Sequence, residues 1–231
     1  DTLDGHPVTS IGESSFALHT SLVSITLPKG VTKIGAFAFE NCDALQSITI
    51  PDTVIEMGSN PFIYCDKLKT IFASPDQPVF ATIDGVLFNK TEKELICHPL
   101  GLEEAAYQVP HGILIIGDYA FAGNRFLVSI TLPKSVTTIR NNAFDFCRNL
   151  NDITLPDGVK NIGEEAFRYC SNLVNITLPA GLTGISHNTF CDCDSLVSIT
   201  IPEGVTTIGD NAFYSCRNLT SITLPKSVTS I

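Results

Sequence analysis

The stretch LVSITLPKSVTTIRNNAFDFC, Leu127 to Cys147, is the clearest copy of a pattern that the chain repeats every 23 residues. Its skeleton is Leu-x-x-Ile-Thr-Leu-Pro-x-x-Val-Thr-x-Ile-Gly-x-x-Ala-Phe-x-x-Cys, and copies start at Leu22, Leu45, Leu68, Leu127, Leu150, Leu173, Leu196 and Leu219. A fixed period of this length is the signature of a solenoid, in which each copy is one rung that buries its apolar face only against its neighbours. Function therefore has to be sought where the chain departs from the repeat.

Each part of the rung has its own chemistry. In Ser24-Ile25-Thr26-Leu27 apolar and polar residues alternate, which reads as a strand with one buried face, and stacked copies make a parallel sheet. Proline follows at Pro28, Pro51, Pro110, Pro133, Pro156, Pro179, Pro202 and Pro225 and turns the chain at one place in every rung. Val31, Ile34 and Gly35, with their counterparts, read as a short second strand ending at a glycine bend. The segment after it sets Phe and Cys three residues apart, the spacing of one face of a helical turn. Acidic or amide residues just past the glycine, Asp118, Asn141, Glu164 and Asp210, suit the start of such a turn. A column of eight phenylalanines, from Phe16 to Phe213, forms the spine.

These readings predict a single domain over residues 1–231 with about ten rungs, a rod of order 50 Å at ~4.8 Å per rung. The period breaks once: Leu68 and Leu127 lie 59 residues apart, 13 more than two repeats. The interruption, at about residues 73–106, holds Asp84-Gly85, apolar Val86-Leu87-Phe88, a polar tip at Asn89 to Glu94, and Leu95-Ile96-Cys97, which predicts a β-hairpin. Val8 to Ile11 enters mid-repeat and the sequence stops mid-repeat at Ile231, so the natural protein is expected to extend beyond both ends.

Twenty-four acidic against 14 basic residues give a net charge of −10, with the basic residues scattered singly, which argues against nucleic acid or an anionic membrane as partner. No run approaches a membrane span of about 18 apolar residues. Six of the eight cysteines (Cys42, Cys65, Cys147, Cys170, Cys193, Cys216) occupy one repeat position, with His19 and Asn124 in their place at two rungs. Equivalent side chains on adjacent rungs point in parallel and cannot readily reach the disulfide torsion, so these are expected to be reduced thiols acting as small buried hydrophobes.

The repeats resemble the BspA-like, or treponemal-type, class of leucine-rich repeats over nearly the whole chain. The Leu-x-x-Ile-x-Leu-Pro strand, the Ile-Gly bend and the Ala-Phe-x-x-Cys turn carry the likeness, and Ile83 to Lys90 resembles a module that recurs in the family. The resemblance implies a leucine-rich repeat solenoid: a curved right-handed array with a parallel sheet on its concave face, and short second strands and helical turns on the other side. It implies a surface, secreted or periplasmic protein that binds host matrix or serum proteins or other cells. It brings no catalytic residues and no cofactor.

Chemistry outside the repeat is sparse. His187-Asn188-Thr189-Phe190-Cys191-Asp192-Cys193-Asp194 offers metal-ligand types, but Phe190 and Cys193 are required by the core and the spacing matches no standard zinc pattern, so no metal site is assigned. Cys191, at a variable position, is expected to be an exposed thiol. Cys97 and His98 should face opposite ways along a strand, which argues against a nucleophile and its base. On the exposed sheet face a ladder of Ser and Thr is broken by Lys69, Phe72, Asp152 and Asn175. Aromatics collect at variable turn positions: Tyr64, Phe146 and Tyr169 hold one place, and Tyr214 lies nearby. These eight residues are the candidate ligand-binding positions. The predicted function is non-enzymatic, an adhesin-like protein-interaction module acting through the sheet face, the hairpin or the aromatic strip. The alternative is a structural spacer or self-assembly unit with no ligand of its own.

Overall fold

The computed structural model describes residues 2–3 and 6–231, with side chains from residue 6 onward. The chain forms two compact units, residues 1–102 and 103–231. Both are β-solenoids of stacked rungs.

In the first unit the strands Ser47–Ile50 and Thr70–Ala73 run parallel with Ile48 opposite Ile71. Their inward residues are buried while Ser47, Thr49 and Phe72 face outward, as period-two alternation requires. A second parallel column joins Ser10–Ile11, Lys33–Ile34 and Glu56–Met57. In the second unit Ala106–Gln108, Ser129–Thr131 and Asp152–Thr154 form one parallel sheet, and Ser198–Thr200 with Ser221–Thr223 another. The short second strands Ile115–Ile116, Thr138–Ile139 and Asn161–Ile162 stack likewise, as do Gly184–Ile185 and Thr207–Ile208.

The interruption is a three-stranded antiparallel meander rather than a single hairpin: Phe80–Ile83, Val86–Asn89 and Glu94–Cys97. Asp84 (φ 51°) and Gly85 (φ 85°) make the two-residue turn between the first two strands, the left-handed pair that matches strand twist. The meander is tied to the last rung of its unit by the Ile71 N–H donating to Gly85 O (3.1 Å) and the Gly101 N–H to Leu68 O (2.8 Å). The register shifts between Leu95 and Cys97. The strand Glu94–Cys97 is buried on both faces, and His98, just past it, is buried too.

The segment carrying Ala-Phe-x-x-Cys is not a helical turn. Among the described residues the one helix is the 3₁₀ turn Leu100–Leu102. Instead, two residues per rung, four apart, adopt φ between about 50° and 65°: Asn142 and Phe146, Glu165 and Tyr169, Asn188 and Asp192, Asn211 and Ser215. Left-handed residues placed among right-handed ones aim alternate N–H groups along the stack. Phe144 N–H donates to Ala166 O and Phe146 N–H to Arg168 O on the next rung (both 2.9 Å), while Asp145 and Cys147 close turns back to Asn142 and Phe144. The turn is thus a third inter-rung ladder. The acidic and amide residues before it reach across rungs instead of capping their own: Asp118 Oδ1 accepts from Asn141 N–H and Asn141 Oδ1 from Glu164 N–H.

Inside this ladder the phenylalanines stack face to face, Phe121 on Phe144 at 5.1 Å, Phe144 on Phe167 at 5.3 Å and Phe167 on Phe190 at 5.6 Å. Each fully buried ring contributes roughly 1.5–3 kcal/mol. All eight cysteines are free. The six in register are more than small hydrophobes, because each thiol points at the phenylalanine carbonyl of the preceding rung, as Cys147 Sγ does to Phe121 O (3.1 Å) and Cys193 Sγ to Phe167 O (3.1 Å). That carbonyl also accepts a backbone N–H, so the thiol occupies its second lone pair.

Candidate binding surface

The candidate residues divide between the two units. Phe72 lies on the sheet face of the first unit, opposite Thr49 with 52% of its surface exposed, and Lys69 is exposed just before that strand. Tyr64 is half-buried in the same unit, at a left-handed position (φ 59°). Asp152 and Asn175 are exposed on neighbouring rungs of the second unit, Asp152 in a paired strand and Asn175 in a stretch that joins no strand. Tyr214 is exposed, but in the column of Arg168 and Cys191 rather than that of Tyr169.

Phe146 and Tyr169 do come together. Their rings stack with centroids 4.3 Å apart and planes 28° from parallel. Around them is a set of charged groups that repeat reading did not identify. The Arg168 guanidinium holds Asp145 bidentately (Nε to Oδ1 2.9 Å, Nη2 to Oδ2 2.8 Å) and Glu165 Oε2 through Nη1 at 2.8 Å. Its Cζ lies 5.7 Å from the Phe146 ring centre and 5.5 Å from that of Tyr169. Glu165 is held in turn by Asn142 Nδ2 (2.7 Å) and Asn188 Nδ2 (3.3 Å). Burial pushes the Asp145 carboxyl above its ordinary range despite the guanidinium beside it. Burial also raises the Tyr119 phenol, with Glu165 and Asp145 adding to the effect. Arg168 is thereby held within the fold by two carboxylates, whereas exposed Arg148 sets its Cζ 5.3 Å over Phe146. The readable signal was columnar: Asp145 and Arg168 share one repeat position 23 residues apart, which brings opposite charges onto adjacent rungs.

Cys191 is not the exposed thiol expected from its variable position. It is buried, its Sγ lies 3.2 Å from Asp192 Oδ2, and burial first, then this carboxylate, push its pKa up to about 12. Cys97 is likewise buried, and its thiol is raised by desolvation.

Comparison with known proteins agrees with this architecture. The family model described as BspA type leucine rich repeat region matches residues 5–104 and 108–231, and the chain belongs to that family. A leucine rich cell surface protein from Faecalibacterium prausnitzii A2-165 shares 35% identity, with a TM-score of 0.86 over 96% of this chain and 60% of its own. A leucine-rich repeat protein from Eubacterium ventriosum ATCC 27560 has the same fold at 24% identity (TM-score 0.82; 87% of this chain, 54% of its own). So does the pneumococcal vaccine antigen PcpA, also at 24% identity (TM-score 0.69; 95% of this chain, 66% of its own). The chain thus spans between about half and two thirds of the length of these proteins. No curated protein sequence matches significantly. Among the described residues no helix is long and apolar enough to cross a membrane.

Proposed function

We propose that this chain is a non-enzymatic, adhesin-like protein-binding module of a bacterial surface protein, and that it engages host matrix or serum proteins through the Phe146–Tyr169 shelf and Arg148. The observation that carries the reading is conformational. Phe146 and Tyr169 both sit at φ 57°, where a non-glycine side chain costs of order 1 kcal/mol and Asn, Asp or Gly cost less. Other rungs place Leu18, Asn41, Tyr64, Gly123, Asp192 and Ser215 there. The fold therefore does not require an aromatic at either position, and each ring remains partly exposed. Stacked aromatics beside an exposed arginine have the composition of interface hot spots. The cell-surface description of the 35%-identical relative supports the location.

The test is binding of the array to immobilised matrix and serum proteins, compared with a Phe146→Asn/Tyr169→Asn double variant. Asparagine suits the backbone at both sites, so the variant folds. Binding by the wild type and a loss of tenfold or more in the variant are expected. No binding across the panel, or equal binding by both proteins, would defeat the proposal.

A further inference from the structure

The second-strand ladder of the second unit has one gap. At the turn before each second strand, the N–H donates to the preceding rung: Thr137 to Leu114 O, Lys160 to Thr137 O, Thr206 to Thr183 O and Thr229 to Thr206 O, all at 2.9 Å. The matching N–H of Thr183 makes no such bond to Lys160. At the bend the same holds: Arg140 donates to Ile116 O, Gly163 to Ile139 O and Gly209 to Ile185 O, but the Ser186 N–H makes no such bond to Ile162 O. On the other side of the rung, Asn175 to Leu178 pair with neither Asp152–Thr154 nor Ser198–Thr200. The turn ladder is unbroken across this seam, through Glu165 to His187 O (3.0 Å), Phe167 to Thr189 O (2.9 Å) and Tyr169 to Cys191 O (2.9 Å), and Ser195 N–H extends it to Ser171 O (3.1 Å).

The cause lies at the bend. Glycine fills that position in the flanking rungs because a side chain there meets the backbone of the preceding rung. A Cβ at Gly163 would lie 2.6 Å from Asn141 N, and one at Gly209 would lie 2.6 Å from His187 N. Ser186 puts a Cβ at the equivalent place, so its rung must stand away from Gly163 and Glu164. Its hydroxyl donates to Ile162 O at 2.8 Å, taking the acceptor that a backbone N–H would otherwise use. Arg140 is also not glycine, but there Asp118 Oδ1 accepts from Asn141 N–H and holds the rungs together. Glu164 makes no such bond to His187. A groove of about 710 Å³ runs along the second-strand face from Asp118 to Gly209 and crosses the seam, where Lys160 and Glu164 stand on one side and Thr183 and His187 on the other.

We propose that the rung Leu173–Ser186 is a joint built into the second unit: the Ser186 side chain parts its strand sides, and the phenylalanine–cysteine turn serves as the hinge. Motion at the joint changes the spacing between Asp152 and Asn175 on one side and the width of the groove on the other. This places an adjustable surface inside an otherwise rigid stack.

Residue-resolved hydrogen exchange on the whole chain tests it. In the wild type the Thr183 and Ser186 amides are expected to exchange at least tenfold faster than Lys160, Gly163, Thr206 and Gly209. Ser186→Gly should slow both residue 183 and residue 186 to the rate of their counterparts. Ser186→Ala keeps the Cβ and should leave them fast. Wild-type protection at Thr183 equal to that at Lys160 would overturn the proposal, as would a Ser186→Gly chain whose amides at 183 and 186 stay fast.

Discussion

Leu18 sits at φ 64° with 71% of its surface exposed, so its side chain adds backbone strain and little burial. Its N–H still donates to Glu40 O at 2.7 Å, which keeps the backbone in that conformation. Leu18→Asn is therefore expected to raise stability by about 0.5–1 kcal/mol, because asparagine tolerates the left-handed region. Leu18→Val, whose branched Cβ is worst suited there, should lower it by about 1–2 kcal/mol. Urea titration of both variants checks the sign; if valine equals asparagine, backbone conformation does not govern this column. Asp145 offers a different residue-scale outcome. It is 1% exposed and paired bidentately, so Asp145→Asn sets an amide N–H against the guanidinium, leaves Glu165 as the one carboxylate of the set on Arg168, and is expected to cost about 1–3 kcal/mol. Its folded-state pKa is raised, so the wild-type carboxylate opposes folding as pH rises through the acid range, and protonation relieves that opposition. The gap between Asp145→Asn and wild type should accordingly be smaller at high pH than the lost hydrogen bonds alone imply.

At the scale of elements, the bend glycine controls how closely two rungs approach. Gly209→Ala would place a Cβ 2.6 Å from the His187 nitrogen, backbone that cannot swing aside, so a loss of about 1–3 kcal/mol and faster exchange of the residue 209 amide are expected. An alanine variant as stable and as protected as wild type would show that rung spacing is freely adjustable. The same element explains what repeat reading reached and what it did not. The strands were legible because Ser-Ile-Thr-Leu alternates and proline ends each copy. The turn was misread because Phe and Cys three apart fit a helical face as well as a pair of tight turns. The distinguishing signal was present in Asn41, Gly123, Asn142, Asn188 and Asp192, residue types that favour left-handed backbone, but it emerges only when copies are compared column by column. The aromatic shelf was legible from its 23-residue spacing. Of the charged network, the Asp145–Arg168 pair had a columnar signal, but the addition of Glu165 from the rung of Arg168 itself did not, because it depends on how the turn folds the two side chains together. The Ser186 seam was hidden for a related reason: a serine in a glycine column means little until the distance to the neighbouring backbone is known.

For the molecule as a whole, the thiols decide the alkaline limit. All eight cysteines have pKa values raised above the ordinary 9.0, with burial the leading cause in every case. Cys216 is pushed up to about 11 and Cys65 and Cys191 to about 12. A group whose folded pKa exceeds its unfolded one contributes stability that is intact below the unfolded value and lost as pH rises toward the folded value. Here the unfolded chain releases thiol protons from about pH 9 while the folded chain retains them. Each thiol then removes about 1.4 kcal/mol per pH unit. With the most deeply buried thiols, Cys65, Cys97, Cys147, Cys170 and Cys193, acting together, the loss by about pH 10 reaches the range of a typical domain stability of about 5–15 kcal/mol. The melting temperature is therefore expected to hold steady from pH 6 to 8 and then collapse steeply near pH 10. Cys170→Ala and Cys193→Ala should each make that collapse shallower by about one proton while lowering stability at pH 7, since each also removes a thiol donor from a phenylalanine carbonyl. A fold that persists unchanged to pH 11, or a slope indifferent to these substitutions, would mean that the thiols ionise inside the native stack.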